Sequence, residues 1–290
     1  MNGMNLTDYN EIRELLARHG FRFSKSLGQN FLTAEWVPER IAESALLDET
    51  SGVLEIGPGI GCLTVQLSRR AGKVVSIELD KALVPVLSET LSGCENTEVI
   101  LGDVMKTDLQ KIAREDFQGL RPAVCANLPY NITSPVLTKL IRTEEFETIT
   151  VMIQREVARR ICAGPGSADY SAFGILVQWH MECEILFDVP PSCFVPQPKV
   201  TSSVIRLKRR SAPPAEVRDE RLMFALVRAA FNQRRKTLAN AVSSGLKQFS
   251  REEVAAAIAE CGFDERIRGE ALSIADFACL SDALAPLSSK

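Results

Sequence analysis

The chain has 290 residues, room for one large domain or two modest ones, and its 46% hydrophobic content supplies a buried core. No apolar run reaches the roughly 18 residues of a membrane span, and the early acids Asp8 and Glu11 do not suit a signal peptide, so a cytoplasmic protein without a membrane partner is expected. A net charge of −3 argues at first against a nucleic-acid partner. Two histidines and eight scattered cysteines with no C-x-x-C pair leave little for a histidine triad or a zinc cluster, and no metal is expected.

In chain order, residues 8–19 have amphipathic periodicity that Gly20 ends, which predicts a helix. Residues 53–56 form an apolar strand that runs into Gly57-Pro58-Gly59-Ile60-Gly61 and then a helix over 62–70. Glycines at alternate positions let a ligand lie against the backbone and the first N–H groups of the helix. The spacing differs from the dinucleotide fingerprint, whose third glycine falls one residue later, and tight strand-to-helix packing is the other use of such a turn. A second strand, 73–79, carries Glu78 at its end, about twenty residues past the first glycine, where an acid can receive ribose hydroxyls. A third, 98–102, ends at Asp103, suited either to an adenine amine of a cofactor or to capping the segment that follows.

The apolar run 123–126 leads into Asn127-Leu128-Pro129-Tyr130. An exocyclic amine on a nucleobase is a poor nucleophile because its lone pair is delocalised into the ring. The Asn127 amide oxygen and main-chain carbonyls around Leu128 and Pro129 can accept hydrogen bonds from that amine and favour a tetrahedral nitrogen, while Tyr130 stacks on the extruded base. A strand end followed by a proline turn accounts for the same four residues taken alone. Residues 149–153 read as a fifth strand, 164–167 as a break, and 173–179 as a helix. Runs 183–189 and 202–207 predict an antiparallel pair at the sheet edge, 211–215 a linker, and 219–231, 234–246, 251–261 and 274–284 helices. Ser250 with Glu253 and Ser273 with Asp276 have capping-box spacing.

Strand and helix thus alternate, with Gly57, Glu78, Asp103 and Asn127 at successive carboxyl ends on one rim of a mostly parallel sheet. Acids for ribose and adenine without a basic phosphate clamp suit S-adenosylmethionine better than NAD, so methyl transfer is expected. The segments Ser26-Leu27-Gly28-Gln29-Asn30-Phe31-Leu32, Glu55 to Gly61, Asn127 to Tyr130, and Pro190 to Val200 with Phe194 at its centre together resemble the rRNA adenine N6,N6-dimethyltransferase family, most closely its small-subunit branch. The resemblance runs from about Phe23 to the C-terminal helices.

It implies a Rossmann-like methyltransferase domain over 36–210, an N-terminal helix and cofactor-closing segment over 1–35, and a helical RNA-binding domain over 216–290. It also implies that Asn30, Leu32, Gly57, Glu78, Asp103 and Asn127 hold S-adenosylmethionine, and that Asn127, Leu128, Pro129, Tyr130 and Phe194 surround the target adenine. The implied reaction places two methyls on each of two adjacent adenines in the 3'-terminal hairpin of small-subunit (16S) rRNA, within a pre-ribosomal 30S particle, by a monomeric enzyme. The alternatives are a large-subunit rRNA dimethyltransferase and an assembly factor whose binding role dominates. Charge distribution removes the objection from net charge: residues 199–247 hold twelve Lys or Arg against three acids. Within that stretch Arg234, Arg235 and Lys236, extended by Arg22 and Lys25, are the candidate phosphate contacts.

Overall fold

The apolar runs pair into one seven-stranded sheet. The computed structural model describes residues 4–22 and 29–287. The chain divides into two units, Met1–Ala158 with Glu182–Arg209, and Arg159–Met181 with Arg210–Lys290.

The first unit begins with α1 (Tyr9–Arg18), whose first turn is capped by Asp8: the carboxylate accepts from the N–H groups of Asn10 at 2.8 Å and Glu11 at 3.0 Å. There follow β1 (Phe31–Leu32), α2 (Trp36–Ser44), β2 (Ser51–Ile56), α3 (Cys62–Ser68), β3 (Lys73–Glu78), α4 (Val84–Thr90) and β4 (Thr97–Leu101). After the short α5 (Leu109–Lys111) come β5 (Arg121–Asn127), α6 (Thr133–Arg142), β6 (Thr148–Gln154), α7 (Arg155–Cys162), β7 (Met181–Val189), β8 (Phe194–Val195) and β9 (Ser202–Arg209). The boundary between the units falls inside α7.

The strand order is β4-β3-β2-β5-β6-β9-β7. Strands β2 to β6 are mutually parallel, and β9 runs antiparallel to β6 from Thr148 opposite Lys208 to Gln154 opposite Ser202. The central β2 is buried along its whole length, as a strand covered on both faces must be. Gly52 is required there because a Cβ would collide with the Phe117 ring. The expected edge pair has a more specific form: β9 is interior and β7 is the edge. Ser203 bonds Asp188 and Arg206 bonds Glu184, partners whose numbers run in opposite directions. Chain order reverses between β2 and β5, which makes their carboxyl ends the switch point where open sheets bind ligands.

The second unit contains α8 (Ala172–His180), α9 (Glu220–Asn232), α10 (Leu238–Gly245), α11 (Arg251–Glu260) and α12 (Ile274–Leu284). Its boundary differs from the expected one at residue 216, because segment 159–181 belongs to it. Ile175 and Trp179, one turn apart on α8, are buried with Tyr170 in the same apolar cluster as Leu226 and Phe277. Both anticipated capping boxes form, at Ser250 with Glu253 and Ser273 with Asp276. The helix expected from residue 234 starts instead at Leu238, whose N–H donates to the Ile267 carbonyl at 2.8 Å and so is not available to continue a helix backwards.

Candidate active site

The glycine turn after β2 is built by three left-handed residues, Gly57 (φ 70°), Gly59 (φ 61°) and Gly61 (φ 91°). L-side chains rarely adopt such angles, so the turn stays bare. A Cβ on Gly59 would press on the Phe31 ring at 3.3 Å, whereas one on Gly57 would meet only Pro129, 3.9 Å away. The turn therefore faces the segment after β5 across an open space.

One pocket is lined by Asn30, Leu32, Gly57, Glu78, Asp103, Asn127, Leu128, Pro129 and Tyr130, together with Glu55 and Leu79 among others. Nine of the positions singled out in the sequence thus meet in one place. Phe194 does not line it: this side chain is 3% exposed and packs with Leu32, Val37, Cys125 and Met152 in the core of the unit. Backbone pairing sets its position, since β1 and β8 form a two-stranded antiparallel ladder with Leu32 opposite Phe194 and Phe31 opposite Val195. Lys25 and the Ser26-Leu27-Gly28 part of the first motif lie outside the described residues. Gln29, next in that motif, donates to Asp80 at 2.8 Å and so ties the segment to the loop after β3.

The pocket is acidic. Glu78 accepts from the N–H groups of Asp80 at 2.8 Å and Gly59 at 3.3 Å, and burial raises its pKa against those hydrogen bonds. Asp103 accepts from the Met105 N–H at 2.9 Å with one oxygen and stands 4.0 Å from Lys106 with the other, so its capping role is present alongside its place in the pocket wall. Glu55 was not anticipated. It is 1% exposed, its Oε2 takes hydroxyl hydrogen bonds from Thr64 and Ser76, each at 2.7 Å, and burial raises its pKa to about 7. A lone acid inside the otherwise apolar run Val53-Leu54-Glu55-Ile56 was the available signal. No lysine or arginine lines the pocket among the described residues, so its field suits a cation rather than a phosphate.

Across from the acids, Asn127 closes β5 and its side-chain amide makes no hydrogen bond among the described residues. The two neighbouring carbonyls differ. That of Pro129 already accepts from the Ile132 N–H and the Thr133 hydroxyl, both at 3.2 Å. That of Leu128 accepts nothing among the described residues, although its N–H is fixed to the Met152 carbonyl at 3.1 Å. Tyr130 is held by a 2.6 Å hydrogen bond between its hydroxyl and that of Ser202 at the start of β9, and burial raises its pKa, so the phenol stays protonated. Two free acceptors and a braced aromatic ring therefore stand opposite a bare glycine turn.

A family model described as ribosomal RNA adenine dimethylase matches residues 20–285. The chain belongs to this family. Curated relatives named ribosomal RNA small subunit methyltransferase A include one from Geobacillus thermodenitrificans, 47% identical over 95% of each chain, and one from Alkaliphilus metalliredigens, 46% identical over 94% of this chain and 96% of the relative. Among solved structures, a dimethyladenosine transferase from Plasmodium falciparum superimposes with a TM-score of 0.75 at 27% identity, over 88% of this chain and 98% of that one. The 23S rRNA methyltransferase ErmE gives 0.68 at 29%, over 88% and 99%.

As a ribosomal RNA adenine dimethylase the protein is an rRNA adenine dimethyltransferase that uses S-adenosylmethionine, and the pocket fits that cofactor. The turn at Gly57 leaves room that a Cβ would fill, and three carboxyl-bearing side chains line the same cavity without a basic residue.

The basic cluster of the helical unit is more divided than its sequence suggests. Arg234 donates to Glu270 at 3.1 Å and to the Ala168 carbonyl at 3.1 and 3.2 Å, which commits its guanidinium to the fold. Arg235 and Lys236, in the turn before α10, are exposed, as is Arg22 in the first unit.

Proposed function

We propose that this dimethyltransferase converts two adjacent adenines in the 3'-terminal hairpin of small-subunit rRNA to N6,N6-dimethyladenine, acting as a cytoplasmic monomer on a pre-30S particle. The small-subunit assignment draws its support from the curated relatives, 44–47% identical over most of the chain, against 29% for ErmE. The single observation that carries the chemistry is the pair of free acceptors, the Asn127 amide oxygen and the Leu128 carbonyl, in the pocket opposite Gly57.

When bound, S-adenosylmethionine supplies an electrophilic methyl on a cationic sulfur. Asn127 and Leu128 each accept one hydrogen bond from the adenine amine and turn its lone pair out of the ring plane. Tyr130 stacks on the base and holds it out of its helix. Positioning and electrostatics suffice, because the amine becomes strongly acidic as it attacks and its proton passes to water. Asn30 and Leu32 close over the cofactor, Gly57 gives it backbone contact, and Glu78 and Asp103 receive its ribose and adenine. Phe194 backs the adenine site from the core, its strand paired with Leu32 of the cofactor-closing segment. Arg22, Lys25, Arg235 and Lys236 contact phosphates, with Arg234 bracing the turn that presents the last two.

The test is mass spectrometry of RNA from undermethylated small subunits and from large subunits after incubation with protein and cofactor. Two dimethylated adenines in the small-subunit hairpin are expected. Methylation of large-subunit RNA alone would overturn the assignment.

A further inference from the structure

Cys261 and Cys279 lie 18 residues apart in sequence, and their sulfurs stand 2.7 Å apart in the helical unit. Both backbones are fixed. Cys261 closes α11, donating its N–H to the Ala257 carbonyl at 3.0 Å, and the chain then reverses at Gly262 (φ 78°) with Phe263 bonded back to Ile258 at 3.0 Å. Cys279 sits inside α12 between the buried Ala278 and Leu280. Of the eight cysteines Cys279 alone is exposed, while Cys261 is half-buried against the apolar cluster. An accessible thiol is thus held against a partner that solvent reaches less readily, in a unit that contributes nothing to the pocket described above.

We propose that Cys261 and Cys279 form a dithiol site that reacts with low-molecular-weight disulfides and closes to an intramolecular disulfide joining α11 to α12. The Cys279 thiolate attacks one sulfur of the small disulfide RSSR. The S–S bond breaks, one RS⁻ leaves and takes up a proton, and a mixed disulfide remains on Cys279. Cys261 then gives up its proton as its sulfur attacks the Cys279 sulfur, and the second RS⁻ is displaced and takes up a proton. The two protein thiols lose two electrons and two protons, and the small disulfide gains both as two RSH. Exchange needs the thiolate, and burial, with Cys279, Glu260 and Asp276 nearby, pushes Cys261 up to about 12. Cys279 is therefore the entry point. The second step depends on the short distance between the sulfurs, which makes it intramolecular and favours closure over a lasting adduct.

The full chain is incubated with oxidised glutathione at mildly alkaline pH, and its peptides are mapped by mass spectrometry without reduction. The expected product is a Cys261–Cys279 link, two hydrogens lighter than the dithiol and reversed by dithiothreitol. Cys261→Ser is expected instead to keep a stable glutathione adduct on Cys279. The linked form should melt higher than the reduced form by on the order of 5 °C, because the bond closes a loop in the unfolded chain. A lasting adduct on Cys279 in the unaltered chain, a link from Cys279 to any other cysteine, or no reaction at either thiol would overturn the proposal.

Discussion

At the rim of the sheet, Asn127 and the Leu128 carbonyl keep hydrogen-bonding capacity that no described residue uses, whereas in the helical unit Arg234 has its guanidinium taken by Glu270 and the Ala168 carbonyl. Both places were marked in the sequence by residue type. What separates them is unused valence. A rigid strand end can hold polar groups open because the sheet, rather than those groups, supplies its stability. In the turn between α9 and α10 a side chain that looks like a ligand contact is instead drawn into the fold.

The comparison is broken most sharply at Asn127. Replacing it with alanine should lower turnover on small subunits by on the order of a hundredfold, the loss typical of one preorganised polar contact, with cofactor binding measured separately by calorimetry. Near-normal turnover would mean that the open acceptor is incidental.

Glu55 sharpens the contrast within the rim, since it is both buried and satisfied. The native protein holds a proton there that the unfolded chain sheds between about pH 4.5 and about pH 7. Stability should therefore fall as pH rises through that window and level off above it. Glu55→Gln keeps an acceptor for Thr64 and Ser76 and removes the titration. Denaturant unfolding of the two proteins at pH 5 and pH 8 should show the variant gaining about 2 kcal/mol on the parent at the higher pH. A gap that does not change with pH would place the proton elsewhere.

In the helical unit, replacing Arg235 and Lys236 together should flatten the salt dependence of RNA binding by about one and a half to two units of slope, while Arg234→Ala alone should leave the slope alone and lower stability by about 1 kcal/mol. Equal slopes for all variants would assign the whole cluster to structure. The smallest effect concerns a local feature: Ser250→Ala removes a capping box whose hydroxyl accepts from Glu253 N–H at 3.2 Å, and should lower unfolding free energy by about 1 kcal/mol in a urea titration, with methyl transfer unaffected.

Much of this was legible beforehand. Strand ends at Glu78 and Asn127, and the turn at Asp103 just past β4, could be read from short apolar runs stopped by polar residues, and both capping boxes from spacing alone. Local patterns of that kind are fixed by residues near in sequence. The assignment of segment 159–181 to the helical unit was not legible, because Tyr170, Ile175 and Trp179 find their apolar partners some fifty to a hundred residues further along. Nor was the commitment of Arg234, whose partner Glu270 is 36 residues away. Phe194 falls between the two cases: its segment was marked by its motif, but its pairing with Leu32 across more than half the chain could not be seen until the strands were assembled.

That small ladder, Phe31 and Leu32 against Val195 and Phe194, has a consequence for how the enzyme receives its two ligands. On the roles proposed above, the segment that closes over the cofactor is joined by main-chain pairing to the loop that carries Phe194, so a shift in one would be passed to the other. Whatever tightening the small ligand induces is passed to the wall awaiting the nucleotide, and thermodynamic reciprocity returns the same increment in the opposite direction. Two residues of sheet would thereby let cofactor and base bind cooperatively.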